Sequence, residues 1–172
     1  MNFDEVISAR RSVRKYLETD VDDSLIYDII NSGILAPSAH NRQPWKIKIL
    51  KRTDKDYIAS LLLKKAALDN SIVSTANVIK EAPILIVIFY DDNGNSRDND
   101  MLSLGAFIQN MHLKATSLGL GSLWIANTNY IKKEISEFLK IDLECISCLC
   151  VGYSDQVIKP RPRKKLEEIV VS

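Results

Sequence analysis

Two clusters of polar residues near the start of the chain have the types and spacing to bind a small molecule. The first, at positions 10–14, reads Arg-Arg-Ser-Val-Arg and concentrates three guanidinium groups and a hydroxyl in five residues. The second, at positions 36–45, reads Ala-Pro-Ser-Ala-His-Asn-Arg-Gln-Pro-Trp, a run of mostly small and amide side chains that leads into a predicted strand. Together they suit a phosphorylated, aromatic molecule with many hydrogen-bonding groups.

The first cluster has the chemistry of an anion site. A phosphate monoester carries a charge of roughly −1.5 to −2 at neutral pH and presents three acceptor oxygens, and arginine can bind such a group through two parallel hydrogen bonds. The alternative is a solvated helix end, where short basic runs are common. A second basic run, which contains Arg161 and Arg163, lies near the other end of the chain. The sequence leaves open whether the two runs converge on one phosphate.

The second cluster has the composition of a rigid binding loop. Proline restricts both of its ends, Ser38 and Ala39 add little bulk, and Asn41 and Gln43 carry amides that donate and accept hydrogen bonds. The alternative is an ordinary helix-to-strand connection. Trp45, at the end of the loop, is expected to belong to the core.

Composition limits the class of protein. The 172 residues are 46% hydrophobic and 26% charged, which is typical of a single soluble domain spanning 1–172. The formal net charge of +1 indicates neither a nucleic-acid partner nor a membrane surface. The longest apolar run, 84–90, is too short to span a bilayer. No secretory signal precedes the first cluster, so a cytoplasmic protein is expected.

A cysteine motif is a weaker candidate for chemistry. Cys145, Cys148 and Cys150 follow a C-x-x-C-x-C pattern, but a closed zinc or iron–sulfur site needs four ligands and no second cluster supplies the rest. The same run, 145–151, has the pattern of a buried strand in which reduced cysteine acts as a small hydrophobe. The sequence therefore predicts no metal site.

Neither a dinucleotide-binding fingerprint nor a nucleophilic catalytic arrangement is complete in this sequence. Gly119-Leu-Gly121 begins a dinucleotide-binding fingerprint, but the third glycine is missing and the motif follows a helix instead of a strand. A separate nicotinamide domain is therefore not expected. No Ser-His-Asp or Cys-His arrangement is recognisable, so no side chain is assigned as catalytic.

Hydrophobic periodicity predicts the elements that position these residues. The long helix 101–118 is apolar on more than one face and should end at Gly119, while Gly105 within it indicates close approach of another backbone or a flat ligand. Strand 84–90 should be buried on both faces and strand 45–50 on one. Together with a polar loop at 91–100, the full pattern predicts an α+β domain with helices at 3–10, from 22 to before 37, at 55–68, 74–81 and 101–118 and after Asn129, and strands at 45–50, 84–90, 120–126, 145–152 and 169–171.

Three motifs in this order resemble the FMN-dependent nitroreductase family. They are Arg-x-Ser-x-Arg at 10–14, Ala-Pro-Ser-x-x-Asn-x-Gln-Pro-Trp at 36–45 and Gly-Leu-Gly-Ser-x-Trp at 119–124. The order and spacing match over nearly the whole chain, including Gln109-Asn110 and the closing Pro-Arg-x-x-Leu-Glu-Glu-Ile-Val.

The resemblance implies an architecture and a cofactor site. The architecture is a central, mostly antiparallel sheet flanked by helices, in an intertwined homodimer whose two FMN sites are each lined by both subunits. The implied site residues are Arg10, Arg11, Ser12 and Arg14 on the phosphate, ribityl chain and pyrimidine, Arg161 and Arg163 on the phosphate, Gly121 and Ser122 along the flavin through their backbone, and Pro37, Ser38, Ala39 and Asn41 from the partner subunit.

One part of the implied site departs from the family pattern. The family places polar contacts just before the buried strand, where this chain has Thr75 and Val78. Asn70 and Asn77 are the candidates to replace them.

The resemblance also implies an activity. NAD(P)H would reduce the flavin, which would then reduce a nitroaromatic, a quinone or another conjugated acceptor in a ping-pong scheme. Two alternatives remain at this point: the same fold with other flavin chemistry, such as reductive dehalogenation or oxidative tailoring, and a flavin-binding or redox-sensing module without turnover.

Overall fold

The computed structural model describes residues 1–65, 67, 69–92, 94 and 96–171. Within these ranges the chain forms ten helices and strands, with bounds α1 Phe3–Ala9, α2 Asp23–Ile34, β1 Trp45–Lys51, α3 Thr53–Leu63, α4 Asn70–Glu81, β2 Ile84–Tyr90, α5 Arg97–Ser117, β3 Gly121–Ile125, α6 Lys132–Leu139 and β4 Glu144–Gly152. Short 3-10 turns lie at Ala39–Asn41, Asn127–Tyr130 and Leu166–Glu168.

The four strands form one sheet in the order β1-β2-β4-β3, and all three neighbouring pairs are antiparallel. Every residue of β2 is buried, as its unbroken apolar sequence predicts. Its alternate side chains enter two separate cores, with Ile86 and Ile88 on one face and Leu85 and Val87 on the other. The α+β class and the antiparallel sheet are thus confirmed.

Helices cover both faces of this sheet. The helices α2 and α5 pack on the first face, where Gly33 lets them approach closely: a Cβ there would lie 2.8 Å from Cγ of Met111. The helices α3, α4 and α6 pack on the second face, against the three cysteines of β4. All three cysteines are buried and form no disulfide, as predicted. Within the described ranges, no group of metal-binding side chains is assembled.

Several predicted boundaries are wrong by a few residues. The helix predicted at 55–68 spans Thr53–Leu63, and positions 66 and 68 lie outside the described residues. The helix predicted from Ser74 begins at Asn70, because the Asp69 carboxylate accepts a hydrogen bond from the Ser71 N–H at 2.7 Å and caps the helix. The predicted loop 91–100 is shorter, because α5 begins at Arg97, and positions 93 and 95 lie outside the described residues.

Three other expectations are corrected. Asn129 is predicted to cap the helix that follows it, but it lies within a 3-10 turn, and α6 begins only after Ile131. The neighbour of Gly105 is the Trp124 indole and not another backbone. A Cβ added to Gly105 would lie 3.8 Å from Cη2 of that indole. Residues 169–171 form no strand, because the N–H groups of Ile169 and Val170 both donate to the Leu166 carbonyl and close a turn.

None of the helices in the described ranges combines the length and apolar character needed to cross a membrane.

Candidate active site

The two basic runs, separated by more than a hundred residues, line one cavity of about 530 Å³. One wall comes from positions 7–14 and the other from positions 158–163. No carboxylate from the described part of the chain lines the cavity. Its charged lining residues are Arg10, Arg11, Arg14, Lys159, Arg161 and Arg163.

Backbone pairing fixes the first wall beside strand β3. The segment after α1 forms a parallel bridge between Ser12 and Ser122, and the Val13 N–H donates to the Ser122 carbonyl at 3.0 Å. A Cβ on Gly121 would lie 2.8 Å from a methyl group of Val13, so only glycine allows this approach. Gly121 and Ser122 therefore lie against the arginine segment through their backbone.

Further hydrogen bonds hold the second wall in place. The Leu17 N–H donates to the Tyr153 carbonyl at 2.9 Å, and the Arg14 N–H donates to Oε1 of Gln156 at 2.9 Å. The chain that leaves β4 therefore runs next to the first basic segment. This contact brings Arg161 and Arg163 to the cavity.

A buried histidine, not assigned a role from the sequence, positions Arg10. An Arg10 Nη1 lies 3.3 Å from Nε2 of His112, and Nδ1 of His112 contacts the Ser122 hydroxyl. Because arginine can only donate, Nε2 must accept and Nδ1 carries the proton. Burial, together with the charge of Arg10, lowers the pKa of His112 to about 4. His112 is therefore neutral and acts as the acceptor that orients Arg10.

The cavity holds positive charge that its own residues do not balance. Burial and the nearby charges of Arg163 and Arg11 lower the pKa of Arg10. Arg11 and Arg14 donate to the backbone carbonyls of Ser8 and Ser12, at 2.6 and 3.0 Å. No cavity arginine forms an ion pair with a carboxylate of the described residues, and the buried Nε of Arg11 finds no partner there. This surplus fits a dianionic phosphate such as that of FMN.

Arg14 also lines a second hollow, of about 270 Å³, so the two spaces adjoin. In this hollow the Asn127 amide donates to Oγ1 of Thr75 at 2.9 Å and to Oγ of Ser71 at 3.2 Å. The neighbouring wall is formed by residues 123–126, which include Trp124. The hollow therefore offers hydrogen-bonding groups next to an aromatic surface.

This geometry revises the expectation for the helix before β2. Thr75 lines the hollow while Val78 is buried in the core. Asn70 and Asn77 are exposed and do not line it. Asn127 lies far along the chain from that helix, so a search of the helix alone misses it.

The loop at 36–45 does not reach the arginine cavity of its own chain. Pro37, Ser38 and Ala39 line a separate shallow groove against α5, and Asn41 is exposed on the same loop. The backbone of this loop is strained, with positive φ at three non-glycine residues: His40 at 55°, Asn41 at 56° and Gln43 at 52°.

Two interactions hold the strained loop. The Gln43 N–H donates to the Ser38 hydroxyl at 3.0 Å, and Arg42 forms an ion pair of 2.7 Å with the buried carboxylate of Asp100 in α5. Trp45, at the end of the loop, is buried and stacks on Phe107 with ring centroids 4.8 Å apart. Its predicted place in the core is confirmed.

A model of the nitroreductase family matches residues 7–153. The chain belongs to the nitroreductase family. The expectation drawn from the three motifs is thereby confirmed.

Relatives within the nitroreductase family match almost the whole chain. YfhC of Bacillus subtilis (strain 168), assigned as an NAD(P)H nitroreductase, is 25% identical over 95% of this chain and 90% of its own length. The 4-nitrobenzoate reductase of Pseudomonas putida is 26% identical over 90% of this chain and 86% of its own length. A crystal structure from Desulfovibrio desulfuricans, assigned as a nitroreductase and solved in complex with FMN, is 25% identical. It aligns with a TM-score of 0.85 over 98% of this chain and 94% of that chain.

Proposed function

We propose that this protein is an FMN-dependent oxidoreductase that uses NAD(P)H to reduce nitroaromatic, quinone or similar conjugated acceptors. The proposal rests on the cavity lined by arginines that have no carboxylate partner among the described residues, beside a hollow with an aromatic side chain and amide and hydroxyl groups. A flavin mononucleotide has the matching parts: a phosphate dianion, a polyol chain and a flat ring with a polar edge. The relatives named for NAD(P)H nitroreductase and 4-nitrobenzoate reductase activity support the same reaction class.

In this proposal the basic residues hold the phosphate. Arg10, Arg161 and Arg163 face the phosphate, while Arg11 and Ser12 complete the wall. Arg14 lies where the two spaces meet and would contact the ribityl chain or the ring. His112 keeps Arg10 in place without carrying charge of its own.

FMN held by these residues would supply hydride transfer between NAD(P)H and the acceptor, while the protein supplies binding, orientation and electrostatics. Asn127 and Thr75 would orient the polar edge of the ring. The backbone of Gly121 and Ser122 would pass beside the cofactor, since the side chain of Ser122 is buried on His112.

The loop at 36–45 is assigned to the site of a partner subunit. Its residues Pro37, Ser38, Ala39 and Asn41 lie outside the arginine cavity of their own chain, yet the loop is strained and rigidly held. Large apolar side chains next to it are exposed, with Leu35 at 82% and Leu102 at 75%. A homodimer would cover these side chains and complete both sites.

The test begins with the visible spectrum of the purified protein. The expected result is a yellow protein that releases FMN, and no FAD, on denaturation. Under anaerobic conditions NADH or NADPH should bleach the flavin, and a nitroaromatic or quinone should restore its colour. A colourless protein that takes up no FMN would contradict the proposal. Bound flavin that neither nucleotide bleaches would contradict the reductase activity and leave only cofactor binding.

A further inference from the structure

Trp124 closes the third sequence motif and supplies the aromatic side chain of the hollow beside the arginine cavity. Its neighbours Leu123 and Ile125 are buried in the core, whereas Trp124 is 40% exposed. It lies on the opposite face of β3 and lines the same hollow as Arg14 and Asn127. Leu123, Ile125 and Ala126 line this hollow together with polar residues, and a partly exposed indole among them is a candidate contact for a flat ligand.

The indole is held in one orientation. Its Nε1–H donates to the Ser147 hydroxyl at 2.8 Å, and this buried hydroxyl donates in turn to the Ile125 carbonyl at 2.6 Å. The far edge of the ring faces Gly105, where an ideal Cβ would lie 3.8 Å from Cη2. The hydrogen bond at Nε1 therefore sets the orientation of the ring, and ligand binding would cost little side-chain entropy.

The second tryptophan shows the difference between a core residue and this one. Trp45 is buried and already stacks on Phe107, with an interplanar angle of 20°. Among the described residues, no aromatic ring stacks on Trp124. Within the described ranges its indole is thus an aromatic surface without an aromatic partner, next to the arginine cavity.

We infer that Trp124 is the surface on which the flavin ring of FMN stacks. This inference rests on the proposed function. A stacked ring would place its polar edge toward the amide of Asn127 and the guanidinium of Arg14, which line the same hollow. An electron-rich indole and an electron-poor flavin attract each other beyond the area they bury.

The decisive readout is flavin fluorescence, because an indole in direct contact quenches the excited flavin by electron transfer. In the wild-type protein, bound FMN should be nearly dark. In Trp124→Leu the bound FMN should regain emission, and its affinity should fall about two- to tenfold. Trp124→Phe should recover much of the affinity. Trp45→Phe is the matched control and should leave the bound flavin dark.

A second variant tests the clamp on the ring. Ser147→Ala removes the acceptor of the indole N–H, so the ring gains freedom and the flavin emission should rise to an intermediate level. This change leaves the aromatic surface in place and so separates orientation from contact.

The outcomes distinguish the inference from the function on which it rests. A wild-type protein that binds no FMN would overturn both. A wild-type protein that binds FMN, with Trp124→Leu binding it as tightly and as darkly, would overturn stacking on Trp124 alone. If the leucine variant does not fold, bright emission from FMN bound to the wild-type protein would by itself contradict the contact between the flavin and Trp124. Flavin that is dark in the wild type and stays dark in Ser147→Ala would contradict the role of the Ser147 hydrogen bond in orienting the indole.

Discussion

The arginines of this protein fall into two regions that differ in how their charge is balanced. Arg42 lies 2.7 Å from Asp100, whose side chain is fully buried, and the other oxygen of that carboxylate accepts from the Tyr90 hydroxyl at 3.1 Å. The arginines at positions 10, 11, 14, 161 and 163 share a cavity without any carboxylate of the described residues. Removing one partner of a buried ion pair is costly, whereas arginines without a carboxylate partner at a solvent-accessible cavity are available to bind an anion.

The two regions also support different parts of the proposed site. The Arg42–Asp100 pair ties the strained loop at 36–45 to α5, so its role is to fix a backbone shape. Burial and Asp100 raise the pKa of Tyr90 to about 12, so this hydroxyl stays protonated and remains a donor to the pair. The cavity arginines are oriented by neutral groups, such as His112, that leave their charge available.

The largest expected effect comes from breaking the buried pair. Asp100→Ala leaves the guanidinium of Arg42 without its partner, which should lower the free energy of unfolding by about 3–5 kcal/mol. Urea unfolding of the flavin-free protein measures this loss. The double variant Arg42→Met, Asp100→Leu should recover much of it, because both charges are then gone. An Asp100→Ala protein as stable as the wild type would show that the pair is not a structural element.

The next effect is a dependence of stability on pH that arises from His112. Its folded-state pKa of about 4 lies below the ordinary value of 6.5. The contribution of His112 to the free energy of unfolding is therefore fully present above pH 6.5. It is lost as the pH falls toward 4, because the histidine of the unfolded chain takes up a proton at a higher pH than that of the folded chain. The loss is on the order of 3 kcal/mol. Unfolding curves of flavin-free protein between pH 7 and 4 should be flatter for His112→Gln than for the wild type; parallel curves would exclude the buried neutral histidine.

A smaller free-energy change should appear in cofactor binding. Arg163→Ala removes one charge-assisted contact to the phosphate, which should weaken FMN binding by about 1.5–3 kcal/mol, or roughly ten- to hundredfold. The same change should not reduce the stability of the flavin-free protein, since it relieves repulsion with Arg10. Titration with FMN and urea unfolding measure the two effects separately. Arg97→Ala is the matched control, because Arg97 does not line the cavity and instead pairs with Glu144 at a distance of 2.7 Å. Unchanged FMN affinity in Arg163→Ala would contradict phosphate binding by the cavity.

The smallest expected effect concerns the exposed pairs. Glu144 contacts both Arg97 and Lys132, and all three side chains are partly exposed. Solvent screens such contacts, so Glu144→Gln should lower the free energy of unfolding by less than about 1 kcal/mol. A loss as large as that of Asp100→Ala would mean that burial does not separate the two kinds of pair.

Local sequence patterns predict those secondary-structure elements whose formation depends mainly on residues close in sequence. The doubly buried strand 84–90 was predicted with its bounds, because seven consecutive apolar, largely β-branched residues need two covering layers. The end of α5 is equally predictable, because glycine commonly follows the last turn of a helix. Gly119 has a φ of 75° there, a conformation that favours glycine. The three residues at 169–171 have the composition of a strand, but a strand also needs a partner edge, which composition does not reveal.

The candidate site could be predicted only in part for the same reason. The basic runs and the rigid loop were visible as composition, whereas their convergence on one cavity depends on the fold. His112 and Asn127 belong to the site through contacts with Arg10 and Thr75, which are distant in sequence. A single histidine in an apolar helix gives no local signal of such a contact.

The central claim is that the arginines of the cavity bind a phosphate. Binding of FMN and of riboflavin, which differ only in the phosphate, to the flavin-free wild type and to Arg163→Ala tests it most directly. The wild type should bind FMN far more tightly than riboflavin, and Arg163→Ala should lose roughly ten- to hundredfold of this preference. Equal affinities of the wild type for FMN and riboflavin would contradict it.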